Sequence, residues 1–97
     1  MEAVSATQGR AILTVLGSDR AGIVAAITQV LANHDANILD ISQTILQGIF
    51  TMTMLVDLTA VSVEFDALKE ELDEVAKSLG VQVMLQREDV FRFMYRL

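Results

Sequence analysis

A chain of 97 residues without cysteine or proline has room for one core that buries about two-thirds of its unfolded surface, and it excludes disulfides, thiolate metal sites and cysteine-based catalysis. Hydrophobic residues make up 53% of it, more than a small monomer easily hides, so part of the apolar surface is expected to be covered by another copy or a partner. Thirteen acidic residues against seven basic give a net charge of −6, which argues against nucleic acid and anionic membranes as partners, and no apolar run approaches the roughly 18 residues of a membrane-spanning helix.

Residues 1–9 carry no hydrophobic period and none of the basic start and apolar stretch of a secretory signal. They read as a flexible leader, with cytoplasmic residence the default. Residues 11–16 are almost wholly apolar and end at Gly17, the pattern of a short strand buried on both faces. A polar loop bounded by Gly17 and Gly22 leads into Ile23, Ile27, Val30, Leu31 and His34 at helical spacing, with a break near Asp35. From 38 to 47 the chain alternates, Leu39, Ile41 and Ile45 on one face and Asp40, Ser42 and Thr44 on the other. Gln47-Gly48 then reads as a turn into a strand with Phe50, Met52, Met54, Val56 and Leu58 inward, so the pair predicts a hairpin.

Leu68, Leu72, Val75 and Leu79 form a narrow apolar stripe that predicts a second helix, with Gly80 at its left-handed stop. Val81, Val83 and Leu85 alternate with Gln82, Met84 and Gln86 as a fourth strand. The tail, 90–97, alternates like a strand, yet Phe91, Met94 and Leu97 also share one helical face, with Arg92 and Arg96 four residues apart on another. With Asp89 placed to cap it, a short C-terminal helix is the favoured reading. The order βαββαβ predicts an α+β, ferredoxin-like fold: a four-stranded antiparallel sheet with two helices on one face, plus that terminal helix. Residues 10–97 form a single domain in this reading, and the second sheet face, half apolar, needs a partner or water.

The most informative stretch is Asp19-Arg20-Ala21-Gly22-Ile23-Val24, followed fifteen residues after Gly22 by Asn37-Ile38-Leu39-Asp40. It resembles the ACT domain, whose hallmark is an acidic or amide residue, then Arg-Pro-Gly and an aliphatic helix, then Asn-Ile opening the second strand. The wording Asp-Arg-x-Gly-Ile-Val is similar to the ACT domains of the glycine-cleavage repressor and formyltetrahydrofolate deformylase. Small stand-alone ACT proteins, whose length and Glu88-Asp89-Val90-Phe91 closing it shares, match best. The resemblance implies a regulatory module that binds a small molecule, an amino acid by preference, as a homodimer. An alternative is a ligand-free dimer that docks on a partner enzyme.

The ligand-binding candidates are Asp19, Arg20, Ala21, Gly22, Ile23, Asn37, Ile38 and Asp40. Gly22 lets a ligand approach the backbone, and the first N–H groups of a following helix suit a carboxylate. The resemblance implies that Asp19 accepts from an ammonium group and that Asn37 offers both donor and acceptor, across a dimer interface. The plainer alternative has Asp19 as a helix cap, Arg20 as a solvated charge, Gly22 and Asn37 as turn residues and Asp40 as a solvated strand charge. Two departures weigh against a specific amino acid: Ala21 stands where the family commonly has proline, and Gly17 stands where some ligand-binding members supply a side chain.

Catalysis has little support. The single histidine, His34, has no nucleophile at motif spacing, and His34, Asp35 and Asp40 lack the spacing of helical zinc ligands. The phosphate-binding and dinucleotide glycine signatures are missing. Neither metal nor cofactor is expected, and the reading is a non-enzyme. The acidic run Glu70-Glu71-Asp73-Glu74 is expected to be the solvated face of the second helix.

Overall fold

The computed structural model describes residues 9–94, in the order β1 (Arg10–Ser18), α1 (Ile23–Asn33), β2 (Asn37–Leu46), β3 (Ile49–Asp57), α2 (Phe65–Leu79), β4 (Val81–Arg87) and α3 (Glu88–Met94). The strands pair antiparallel in the order β2-β3-β1-β4, the ferredoxin-like arrangement that the hydrophobic pattern predicts. Most of the leader, residues 1–8, lies outside the described residues. Gly9 is tied down, its carbonyl accepting from the Leu58 N–H at 2.8 Å.

One sheet face carries the core. Ala11, Leu13 and Val15 of β1 and Phe50, Met52, Met54 and Val56 of β3 are buried against Ile23, Ile27, Val30 and Leu31 of α1 and Leu68, Leu72 and Ala76 of α2. The expectation that β1 is buried on both faces holds at Ile12, 9% exposed, and is corrected beyond it: Thr14 is half-buried and Leu16 is 45% exposed, because both helices pack on the other side. Val75 and Leu79, expected in the α2 stripe, sit at its half-buried margin, and Ala76 takes the central place.

Local chemistry explains where the elements stop. The last turn of α1 is a Schellman motif, in which the Asp35 N–H bonds the Ala32 carbonyl at 3.1 Å and the Ala36 N–H the Leu31 carbonyl at 2.9 Å. Asp35 holds the left-handed conformation there, φ 62°, while Ala36 and Leu31 are buried together. Gln47 and Gly48, at φ 51° and 84°, give the two-residue type I′ turn that suits the strand twist. Gly80 ends α2 at φ 74°.

Helix α3 follows β4 without a loop and is clamped by Glu88. Arg10 donates to the carboxylate of Glu88 from Nε and Nη2, both at 2.8 Å, and Arg92 adds Nη2 at 2.7 Å. The bidentate Arg10 bonds first, and those of Arg92 second, hold the Glu88 carboxyl below its ordinary range. Asp89 is not the cap expected of it, because it lies inside the helix and accepts from the Val90 N–H. Arg92 pairs with Glu88 one turn back; the expected Arg96 and Leu97 contributions lie outside the described residues.

Candidate ligand site

Sequence reading places eight residues in one site, and a single chain separates them into two groups. β1 leaves the sheet at Ser18, opposite Ile49 and next to the hairpin turn. β2 begins at Asn37, opposite Asp57, which is also opposite Arg10. Those rows are eight residues apart on β3, or about 27 Å at strand spacing. Asp19, Arg20, Ala21, Gly22 and Ile23 therefore stand at one end of the sheet, and Asn37, Ile38 and Asp40 at the other.

The first end is built around a helix start that no side chain caps. Gly22 occupies the cap position in the left-handed region, φ 91°, and the first intrahelical bond runs from the Ala26 N–H to its carbonyl. The N–H groups of Ile23, Val24 and Ala25 precede that bond, and nothing lies within 4 Å of where a Gly22 side chain would begin. Asp19 is exposed and does not cap α1, contrary to the plainer sequence reading; its own N–H donates to the Gly48 carbonyl at 2.8 Å, fastening the loop to the hairpin turn. Arg20 is not a free solvated charge either, for its Nη1 donates to the Leu79 carbonyl at the C-terminus of α2, at 3.2 Å. Ala21 is exposed. Ile23 is 1% exposed and belongs to the core, so only its backbone can face a ligand.

At the second end Asn37 is exposed and Ile38 half-buried, both lining an open groove of about 370 Å³ with Thr28, Gln29 and Ala32 of α1. Asp57 beside them has its carboxyl held below its ordinary range, first by the Thr59 hydroxyl at 2.6 Å and next by the Thr59 N–H at 2.9 Å. Asp40 sits on the face away from the helices. Strict alternation puts it with Ile38, but a bulge at Leu39 breaks the register, so Ile38 pairs with Val56 and Asp40 with Leu55. The carboxylate accepts from the Ile41 N–H at 2.9 Å. Arg20 is out of its reach at the far end.

Sequence reasoning missed three features: the bulge, the Arg20–Leu79 bond, and a link from His34 Nε2 to Glu71 Oε1 at 2.7 Å that joins the end of α1 to α2. The first had a faint signal, the adjacent Ile38 and Leu39, which cannot both face the core in a regular strand. The other two join positions 59 and 37 residues apart, which no local pattern encodes. Among the described residues no three His, Asp or Glu side chains are grouped to hold a metal, and no helix is long and apolar enough to cross a membrane.

Known proteins agree with this architecture. An ACT domain family model matches residues 10–86. The UPF0237 protein of Methanocaldococcus jannaschii is 52% identical over 88 residues, covering 91% of this chain and 98% of the relative. Among solved structures, an ACT domain protein from Streptococcus pneumoniae superimposes with a TM-score of 0.75 at 37% identity, covering 90% of this chain and 98% of that one. Formyltetrahydrofolate deformylase from Burkholderia mallei shares the fold, with a TM-score of 0.73 at 22% identity over 81% of this chain and 28% of its own. From motif, sheet order and these likenesses together, the chain belongs to the ACT domain family, typically regulatory modules that bind small molecules, and to its UPF0237 members.

Proposed function

We propose that the protein is a regulatory module that binds a small amino acid as a homodimer, each site joining the loop at residues 19–22 of one copy to Asn37 of the other. The observation that carries this is the 27 Å or so between the two groups along β3. No single copy brings both to one ligand, whereas β2, one of the two edge strands of the sheet, runs from one group to the other and can meet a second chain. In this reading the uncapped N–H groups of α1 take the carboxylate, Asp19 the ammonium group, and Asn37 a polar group from across the interface. Binding acts by stabilising one dimer arrangement, which a partner enzyme reads.

Calorimetric titration of the folded protein with each of the twenty amino acids tests the reading. A saturable heat for one or a few of them is expected, and silence from all twenty in a sample that sediments as a dimer overturns it. A second reading, a dimer whose pocket has been lost and which only docks on an enzyme, is favoured by one observation. Gly17, where some family members supply a ligand-facing side chain, is closely packed against Val81 and has room for none.

A further inference from the structure

We infer that the sheet face opposite the helices carries a further binding site, for a primary alkylammonium ion, with Asp40 as its carboxylate. This site is separate from the amino acid site proposed above and is complete in one copy. Its basis is a cavity of about 140 Å³ lined by Ile12, Asp40, Ile41, Ser42, Thr53 and Leu55, the space of about five waters.

Three strands build the cavity in register. Asp40 of β2 pairs with Leu55 of β3, which pairs with Ile12 of β1, so a carboxylate and two apolar side chains lie in one row. The next row is Ser42, Thr53 and Thr14, a run of three hydroxyls. The floor is apolar and the rim polar, for Ile12 is 9% exposed and Leu55 half-buried, while Asp40, Ser42 and Thr53 are exposed. A small ligand is held by such a combination, its body on the floor and its polar head on a few groups at the rim.

The bulge puts the carboxylate there. In a regular strand Asp40 would share a face with Ile38, which pairs with buried Val56 on the helix side. The extra residue, Leu39, turns Asp40 onto the opposite face beside Ser42, the re-aiming of a side chain for which bulges recur next to active sites. Between the Arg10–Asp57 row and the hairpin turn, Asp40 is the only charged sheet residue on this face; the other positions are Ser, Thr, Leu, Ile, Met and Gln. Its carboxylate accepts from the Ile41 N–H at 2.9 Å, and no basic side chain among the described residues pairs with it. Arg10, the one basic residue of β1, is two strands away and held by Glu88.

A negative charge at the edge of an apolar floor calls for a cation with an apolar body. An ammonium group between Asp40 and Ser42 is within hydrogen-bond reach of both, since same-face neighbours on a strand are about 7 Å apart. Its three N–H donors match the carboxylate and the hydroxyls of Ser42 and Thr53. A stem of about four carbons then lies along Leu55 and Ile12, whose strands are about 5 Å apart.

Two sources supply this chemistry, a free small amine and the lysine side chain of another protein, and the test separates them. The backbone amide resonances of Ser42, Thr53 and Leu55 are followed by NMR as n-butylammonium chloride is added to about 50 mM, beyond the millimolar range of so few contacts. Butanol and butyrate, with similar stems, are the controls, and Nα-acetyl-lysine amide stands for a lysine within a chain. A saturable shift with butylammonium is expected. Its affinity should fall about fivefold in Asp40→Asn, which keeps an acceptor for the Ile41 N–H and loses the charge. A matching response to Nα-acetyl-lysine amide assigns the site to protein lysines as well, and a response to butylammonium alone assigns it to free amines. Absence of any saturable shift overturns the site. Equal binding of butyrate or butanol, or of butylammonium by Asp40→Asn, overturns the assignment to Asp40. None of these probes carries the head group of an amino acid, so silence in the amino acid titrations leaves the result standing.

Discussion

Gly17 lies in register with Val81, and a side chain on it would begin 2.8 Å from Val81 Cγ1 and 3.0 Å from the Val81 backbone Cα. Only a bare backbone fits between β1 and the start of β4. Gly17→Ala is therefore expected to cost about 1–3 kcal/mol, the usual range for overpacking, measured as a lower urea midpoint at unchanged slope. Unchanged stability would mean that Val81 moves aside freely, and that this position could carry a ligand-facing side chain after all.

Leu72, with no exposed surface, stands in the buried row of α2 with Leu68 and Ala76. An unpaired carboxylate there costs several kcal/mol, comparable with the whole stability of a domain this size. Leu72→Asp is expected to abolish the cooperative thermal transition followed by circular dichroism. A retained sharp transition would show that the α2 stripe is not the core.

Glu71 read as part of a solvated acidic face, a position where alanine costs no more than about 0.5 kcal/mol. The bond to His34 changes that expectation, since it ties the end of α1, three residues before Asn37, to the middle of α2. A double-mutant cycle of His34→Ala and Glu71→Ala is expected to give a coupling of about 0.5–1 kcal/mol, tempered by the partial exposure of both groups. Additive losses would mean that the link adds nothing in solution.

The clamp on Glu88 makes a pH-dependent prediction. Its carboxyl is held below the ordinary value of 4.5 by Arg10 and then Arg92, so its contribution is complete above that value and is lost as pH falls through the lower, folded-state value. Glu88→Gln is expected to lower stability at neutral pH by about 1 kcal/mol, for a pair still reached by solvent. The two proteins should converge in acid. A gap that persists at pH 2 would assign the loss to packing of α3 and not to charge.

The fold was largely legible because burial imposes periods. The alternation of Phe50, Met52, Met54 and Val56, the spacing of Ile23, Ile27, Val30 and Leu31, and the glycines at 22, 48 and 80 each mark a physical requirement within a few residues of chain. What was not legible depends on meetings between distant segments. The exposure of Leu16 on the second face of β1 follows from where two helices land. The face of Asp40 follows from a single unpaired residue, Leu39, and the roles of Arg20 and Glu71 follow from partners on other elements. The candidate site was legible as a motif and illegible as a place: Asp19 and Asn37 are eighteen positions apart in the sequence, yet the sheet holds them at its two ends.

The most direct test of a site shared between two copies is complementation. Asp19→Ala and Asn37→Ala are each expected to lose the amino acid bound by the unaltered protein, because every site in either dimer lacks one member. Unfolded and refolded together, the two form mixed dimers in which one site lacks both members and the other is intact. Binding should then return to about one quarter of the original sites, since about half of randomly paired dimers are mixed and each has one intact site. No recovery in a mixture confirmed to contain mixed dimers would contradict the account, because it would place both residues in the same copy's site or neither in any.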